Sequence, residues 1–567
     1  MKQQRPRVVA PRRLAPLAVA AGLAFVAGLV VGALHVPAAS RVAGRFAAAW
    51  ERGDYAAMYA LLSDDARGRT TPRRFAQAYR DAARTLTLVR VDAGRPRARG
   101  QRAEVPVRLT TRIFGTLGGK LELPTGARAT GDRGVDWSPA LVYPGLRPGE
   151  RLNRTTRMPP RAAILARDGS YIAHGPLRTS DLGPLAAQVA GTLGPAPPER
   201  AQQLAALGVP PGTQVGVSGL ERQFDARLAG RPGGTLRAGT RVLATSRPVR
   251  GANVRTTISP AVQTAAVEAL AGRYGGIAAV RPRDGQVLAL AGIAYSAPQP
   301  PGSTFKIITL AGLLSHHVVS RRASFPVQTF ATLSGVELQN ANGEACGGTL
   351  EQSFAESCNS VFAPLGARLG ARRLVEAAEA FGFNEAPTLS GQARSTIPPA
   401  DQIGDDLAVG SSAIGQGKVQ TTPLQMALVA AAIGEHGRRM RPTLELGARP
   451  VATRATPRAV ARTIATYMRA VVTGGTGYAA AVPGVAVAGK TGTAELRNTV
   501  RPNPAATPGP AAPPPANDPK DTDAWFVAFA PLKHPRIAVG VLLVGAGAGG
   551  ATAAPAARPV IEAALKR

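Results

Sequence analysis

Residues 14 to 34 contain no charged or strongly polar side chain, and five cations stand before them: Lys2, Arg5, Arg7, Arg12 and Arg13. About 20 apolar residues match the hydrocarbon thickness of a bilayer, whereas the core of a secretory signal is about 7–15 long. Positive charge ahead of such a span keeps the N-terminus in the cytoplasm and sends the downstream chain outward. The expectation is a cytoplasmic tail (1–13), an uncleaved transmembrane anchor (14–36) and a body working outside the plasma membrane. Cleavage near Val36-Pro37-Ala38 is the alternative reading. No Cys follows the span, which excludes a lipoprotein anchor.

The 567 residues allow several domains and an ample core. With 45% hydrophobic and 18% charged residues the chain is globular in composition. A net charge of +33 points to nucleic acid, an anionic membrane or an anionic wall polymer, or else to scattered surface Arg. Zinc-finger spacing and basic runs interleaved with aromatics are missing, so nucleic acid is not expected as a partner. The six His form no H-E-x-x-H, and no metal site is expected. Two Cys exclude a disulfide scaffold. Outside the cytoplasm, however, Cys346 and Cys358 are close enough to form a bridge, the alternative being two buried thiols.

The order of patterns sets the domains. Residues from Arg41 to about Asp92 carry Phe46, Trp50, Tyr55, Met58, Tyr59, Leu61 and Leu62 near helical spacing, with Asp54 a candidate N-cap. From Thr85 to Trp137 the pattern turns strand-like, including Leu86-Thr87-Leu88-Val89, which predicts a small α+β domain over 40–140. Prolines 144, 148, 159 and 160 mark a boundary, and 141–252 is mixed and weakly patterned. A further domain spans 254–567. Ser259-Pro260 predicts an N-cap and first-turn proline for a helix through Ala271. Residues 276–280 and 286–290 flank an Asp284-Gly285 turn, a hairpin signal. Thr349 and Gln352 have capping-box spacing. Gly484 to Ala488 alternates into Gly489-Lys490-Thr491-Gly492-Thr493 as one strand. Residues 497–521 hold eight prolines and read as an extended low-complexity insert.

The chemistry centres on Pro301-Gly302-Ser303-Thr304-Phe305-Lys306. A Ser and a Lys three apart share one helix face, and Pro301-Gly302 sets Ser303 in the first turn, where unpaired N–H groups and the positive dipole end gather. A hydroxyl needs a base to become a nucleophile; a desolvated Lys can serve, whereas Arg does not deprotonate. Only eight of the 68 basic residues are Lys, and Lys306 and Lys490 fall in catalytic-looking motifs. Alone, S-x-x-K marks any helix start. Three motifs in order, Ser303-Thr304-Phe305-Lys306, Ser357-Cys358-Asn359 and Lys490-Thr491-Gly492, are specific to one kind of site.

With these motifs, Gly415-Gln416-Gly417 before Thr422-Pro423-Leu424-Gln425-Met426, and Ala524-Trp525-Phe526, the chain from Val254 onward resembles the penicillin-binding transpeptidases. Gly216 to Phe224 is similar to the end of that family's head, or dimerisation, domain. Residues 41–137 are similar to the nuclear transport factor 2-like N-terminal domain of methicillin-resistance-type class B members. Arg161-Ala162 and Ala166-Arg167-Asp168-Gly169 depart from the head pattern, which usually has Arg-Gly and Asp-Arg-Asn-Gly. The resemblance implies a multidomain α+β protein whose last domain is an antiparallel sheet flanked by helices.

It also implies roles. Ser303 would attack the carbonyl between two D-alanines of a peptidoglycan stem, and Lys306 would take its proton. Ser357, with Lys490 near it, would relay the proton to the leaving D-alanine, and Asn359 would orient Lys306 and the substrate amide. Backbone N–H groups of Ser303 and Thr493 would form the oxyanion hole. Lys490, Thr491, Gly492 and Thr493 would hold the substrate carboxylate. A neighbouring stem amine would resolve the acyl-enzyme, and β-lactams would acylate the same Ser. No metal or organic cofactor is implied; wall-synthesis proteins are the implied partners. The rivals are a serine β-lactamase, a D,D-carboxypeptidase, a bifunctional glycosyltransferase–transpeptidase and a non-catalytic scaffold. No E-x-x-L-N stretch lies between Asn359 and Lys490 to drive water onto an acyl-enzyme, and the residues before the head do not read as a glycosyltransferase.

Overall fold

The computed structural model describes residues 36–495 and 521–566. The tail 1–13, the anchor 14–36 except its last residue, and the proline-rich segment 497–521 except Asp521 lie outside them. Among the described residues no helix is long and apolar enough to cross a membrane.

The chain packs as two compact units. The first takes the described residues up to Pro159 together with Pro197–Thr213 and Arg231–Val249. Its helices Ala38–Glu51, Tyr55–Ala60, Asp64–Arg69 and Pro72–Leu86 precede antiparallel strands Leu88–Ala93, Arg102–Thr111, Gly115–Ala127 and Arg133–Val135. Asp54, Ser63 and Thr71 each accept a first-turn N–H and so start the last three of these helices. Ala103, Val105, Val107 and Leu109 alternate inward from one strand. They meet an aromatic cluster in which the ring centroids of helical Phe75 and of Trp137, just past the last strand, are 5.0 Å apart. Leu86 ends the long helix and Thr87 takes the left-handed conformation, so the strand begins at Leu88 rather than at Leu86 as the sequence pattern suggested. The region 141–252 divides between the two units: strands Leu152–Arg157, Gly233–Ala238 and Arg241–Ser246 form a sheet of the first.

The second unit contains residues 160–196 and 214–230 and the chain from Arg250 onward. Near its start, Arg161 pairs with Glu221 at 2.7 Å and Asp225 at 2.8 Å, and Arg178 reaches Glu221 at 2.6 Å. The two Arg and the two carboxylates are nearly buried, and the four charges neutralise one another.

Its centre is an antiparallel sheet of β1 (Gly275–Arg281), β2 (Gln286–Gly292), β3 (Ala488–Glu495), β4 (Thr522–Ala530) and β5 (Ile537–Leu543), in the order β2-β1-β5-β4-β3. Side-chain alternation divides it into two cores. Ile277, Ala279, Phe526 and Ala528 face one way, toward α1 (Pro260–Leu270) and α6 (Ala553–Leu565). Ala278, Val280, Trp525 and Val527 face the other, toward α2 (Lys306–Ser315) and α5 (Pro423–Gly434). Because strands buried on both faces need apolar residues throughout, these read as continuous hydrophobic runs. α5 is buried along its whole length. The hairpin β1–β2 forms as expected, whereas Gly484 turns with φ +74° and β3 begins only at Ala488. The helix after Ser259 ends at Leu270, with Ala271 as a left-handed C-cap, and Ser259 makes no side-chain cap.

Candidate active site

Ser303 does not sit in the α-helix itself. It occupies a 3-10 turn, Gly302–Phe305, and α2 begins at Lys306. The Thr304 hydroxyl donates to the Pro301 carbonyl at 2.8 Å and the Thr309 hydroxyl to that of Ala413 at 2.6 Å, which fixes the turn and the helix behind it. Ser303 remains partly exposed while Lys306 is fully buried.

The second motif stands between α3 (Leu350–Ala355) and α4 (Asn359–Leu369). Thr349 and Gln352 form the capping box expected of them, anchoring α3. Ser357 then takes φ +67°, a left-handed conformation costing a non-Gly residue about 1–3 kcal/mol. That kink turns the Ser357 carbonyl and hydroxyl to one point. Lys306 Nζ donates to the Ser357 carbonyl at 2.5 Å, to its Oγ at 3.3 Å and to Asn359 Oδ1 at 2.7 Å. Asn359 Nδ2 meanwhile donates to the Gln339 carbonyl at 2.9 Å. Behind the motif, Cys346 and Cys358 are joined, their sulfurs 2.15 Å apart. A Glu356 carboxylate lies near those sulfurs, but no free thiolate remains there to bind a metal.

The third motif lies on β3, the edge strand. Strand alternation turns Lys490 toward the core that contains α2. Its ammonium is fully buried, donates to the Thr491 carbonyl at 3.1 Å and stands 5.5 Å from the centroid of the Phe354 ring. Burial lowers the Lys490 pKa to about 7. Burial, and then the charge of Lys490, hold the Lys306 pKa well below the ordinary lysine value. Among the described residues no carboxylate pairs with either ammonium. Lys306 can therefore give up its proton more readily than an ordinary lysine, as a general base must.

Two glycines let the strand and the nucleophile's turn touch. At Gly302 φ is +52°, and a Cβ there would lie 2.6 Å from the Thr493 carbonyl oxygen. A Cβ at Gly492 would lie 2.8 Å from that of Pro301. The Thr491 hydroxyl is tied to Thr476 Oγ at 2.5 Å, leaving Thr493 partly exposed on the strand.

The structure thus brings Lys306, Ser357 and Asn359 into direct contact, with Lys490 beside them and Ser303 and Thr493 on adjoining backbones. It does not join Ser303 Oγ to Lys306, nor Lys490 to Ser357, by a hydrogen bond. Sequence reasoning missed Asn340, Thr476, Phe354 and Phe362. Only the phenylalanines carried a local signal, three residues before Ser357 and three after Asn359.

A serine in a tight turn, a desolvated lysine one turn on, and a second serine and lysine completing the walls define a serine acyl-transferase. Residues 275–562 match the penicillin binding protein transpeptidase domain, 158–256 the penicillin-binding protein dimerisation domain, and 38–150 the NTF2-like N-terminal transpeptidase domain. The chain belongs to the class B penicillin-binding protein transpeptidases. It is 34% identical over 386 residues to the peptidoglycan D,D-transpeptidase PbpA of Mycobacterium tuberculosis, covering 57% of this chain and 74% of that one. Identity to the MrdA transpeptidase of Acinetobacter baumannii is 26%, over 61% and 60% of the two chains. The ceftriaxone acyl-enzyme of penicillin-binding protein A from M. tuberculosis superposes with a TM-score of 0.55 at 27% identity, over 72% of this chain and 99% of that one. Pseudomonas aeruginosa PBP2 in complex with WCK 5153 superposes with a TM-score of 0.62 at 26% identity, over 73% and 97%.

Proposed function

We propose that this protein is a peptidoglycan D,D-transpeptidase that cross-links stem peptides through an acyl-enzyme on Ser303 and is acylated by β-lactams at the same atom. The observation that carries the reading is the buried Lys306 ammonium, held by Ser357 and Asn359 with no counter-ion among the described residues. Lys306 as free base takes the Ser303 proton as Oγ attacks the penultimate D-alanine carbonyl. The oxyanion forms at the backbone N–H groups of Ser303 and Thr493. Collapse expels D-alanine, whose amine receives a proton by way of Ser357, with Lys490 keeping that hydroxyl polarised. Lys490, Thr491 and Thr493 hold the terminal carboxylate, and Gly492 lets their strand pack against the turn that bears Ser303. An amine of a second stem then attacks the ester and completes the cross-link.

The body works outside the plasma membrane on a single span, 14–36, in reach of wall-synthesis partners. Cell fractionation tests this: the protein should stay with membranes after an alkaline wash, and release by the wash would refute the anchor.

Fluorescent penicillin is the test of the site. Wild type should label covalently and Ser303→Ala should not; labelling that survives in Ser303→Ala overturns the assignment. Soluble protein given two-stem peptidoglycan should yield cross-linked dimers by mass spectrometry. D-alanine release alone would favour a carboxypeptidase.

A further inference from the structure

Two buried lysines as close as Lys306 and Lys490 repel one another, yet among the described residues neither has a carboxylate partner. Buried charges are ordinarily paired. What the two ammonium groups do share is an aromatic pair. Lys306 Nζ lies 5.7 Å from the centroid of Phe362, and Lys490 Nζ lies 5.5 Å from that of Phe354. The two rings meet edge to face, with centroids 5.8 Å apart and planes at 61°. Both phenylalanines are fully buried. One closes α3 and the other lies on the first turn of α4, so they bracket Ser357-Cys358-Asn359 symmetrically.

We propose that Phe354 and Phe362 are positioning residues for acylation, standing in for a counter-ion by seating one ammonium each on a π-face. A benzene ring carries negative density on its faces, attracts a cation within about 6 Å, and does so more strongly when water is excluded. Unlike a carboxylate, it cannot take the proton or lock the amine in its charged form. Lys306 is thereby steadied while charged and still free to release its proton, as a base that must give and receive a proton requires. The edge-to-face contact also fixes the distance between the seats, and so between the two charges.

The groups around the pair are few. Lys306 is faced by the neutral Ser357 and Asn359 and by Lys490. Tyr467, from the helix Arg458–Thr473, packs on Phe354 at 6.2 Å, and its hydroxyl donates to the Arg321 carbonyl. Glu351 on α3 acts on Tyr467, and Glu356 is exposed.

The inference rests on Lys306 and Lys490 serving acylation of Ser303, and the experiment separates the two claims. The full chain is made with 3,4,5-trifluorophenylalanine at position 354 or 362, which keeps the ring's shape and packing but weakens its π-face. The rate of covalent labelling by fluorescent penicillin is then measured against pH. An ammonium that loses its π-face gives up its proton more readily, so fluorination at 362 should move the ascending limb to lower pH. Fluorination at 354 should move the descending limb the same way. Each shift should be about half a pH unit, or roughly threefold in the acidity constant. Phe354→Tyr and Phe362→Tyr, where they fold, should keep limbs close to wild type. If wild type labels on Ser303 but the fluorinated proteins' limbs superimpose on it, the rings only fill space and the inference fails. If wild type does not label, or Ser303→Ala does, the functional reading itself fails.

Discussion

The side-chain oxygen of Asn340 accepts the backbone N–H of Ser360 at 2.8 Å. The Asn340 amide donates to the carbonyls of Gln328 at 2.7 Å and Glu344 at 2.9 Å. One buried side chain thus ties the start of α4, and with it Asn359, to the end of the hairpin formed by Phe330–Leu333 and Val336–Gln339, some 20 residues earlier.

Asn340→Ala should leave that N–H and two carbonyls without their partner and lower stability by about 1–3 kcal/mol. Because Asn359 shifts with them, penicillin acylation should slow by about tenfold or more. Denaturant unfolding and labelling rates check the two effects together; acylation at the wild-type rate would show that the hairpin does not hold the second motif.

The contact at Gly302 has no slack. Gly302→Ala puts a Cβ 2.6 Å from the Thr493 carbonyl and forces a left-handed φ on alanine. The turn bearing Ser303 must then retreat from β3, and displacement of this order costs about a hundredfold in rate. Covalent labelling against time should show that loss; rates within threefold of wild type would contradict the tight packing.

Lys490 is neutral more easily in the folded chain, with a pKa near 7, than in the unfolded chain at about 10.4. Between these values the unfolded chain binds more protons, so this residue's contribution to stability rises with pH. Lys490→Met should be inactive yet more stable than wild type. Its margin should be full below pH 7 and shrink as pH climbs toward 10. Thermal melts of both proteins at pH 6 and 9 test the sign; a margin that grows with pH would be the wrong one.

The Cys346–Cys358 bridge closes a separation of 12 residues around the capping box of α3. A loop of that size stabilises by about 3 kcal/mol through the unfolded chain. Protein recovered from outside the cytoplasm should show no free thiol by intact mass after alkylation. The double Cys346→Ser, Cys358→Ser variant should unfold at correspondingly lower denaturant.

Features that depend on a few neighbouring residues could be read from the chain. The capping box at Thr349 and Gln352, the cap at Asp54 and the β1–β2 hairpin each state their geometry within a handful of positions. The three motifs were legible because their chemistry restricts residue type. Boundaries failed where a period changes without a breaker, as at Leu86-Thr87, where one left-handed residue converts helix to strand. Ser259 marks the right place for a helix start, but its hydroxyl makes no cap there. Phe354, Phe362 and Thr476 escaped notice because a phenylalanine in a helix looks like core, and this threonine matters through Thr491, 15 residues away, and the Ala355 carbonyl, 121 residues away. Asn340 carries no local signature, since its partners are assembled by the fold.

The walls of the site come from three stretches, near residues 303, 358 and 490. The last lies on a sheet edge that, among the described residues, pairs only with β4, from beyond the proline-rich segment. No fragment short of nearly the whole second unit can assemble them. Covalent penicillin uptake therefore counts folded molecules: in a labelling pulse short against refolding, the labelled fraction reports how much of the population has completed its central sheet.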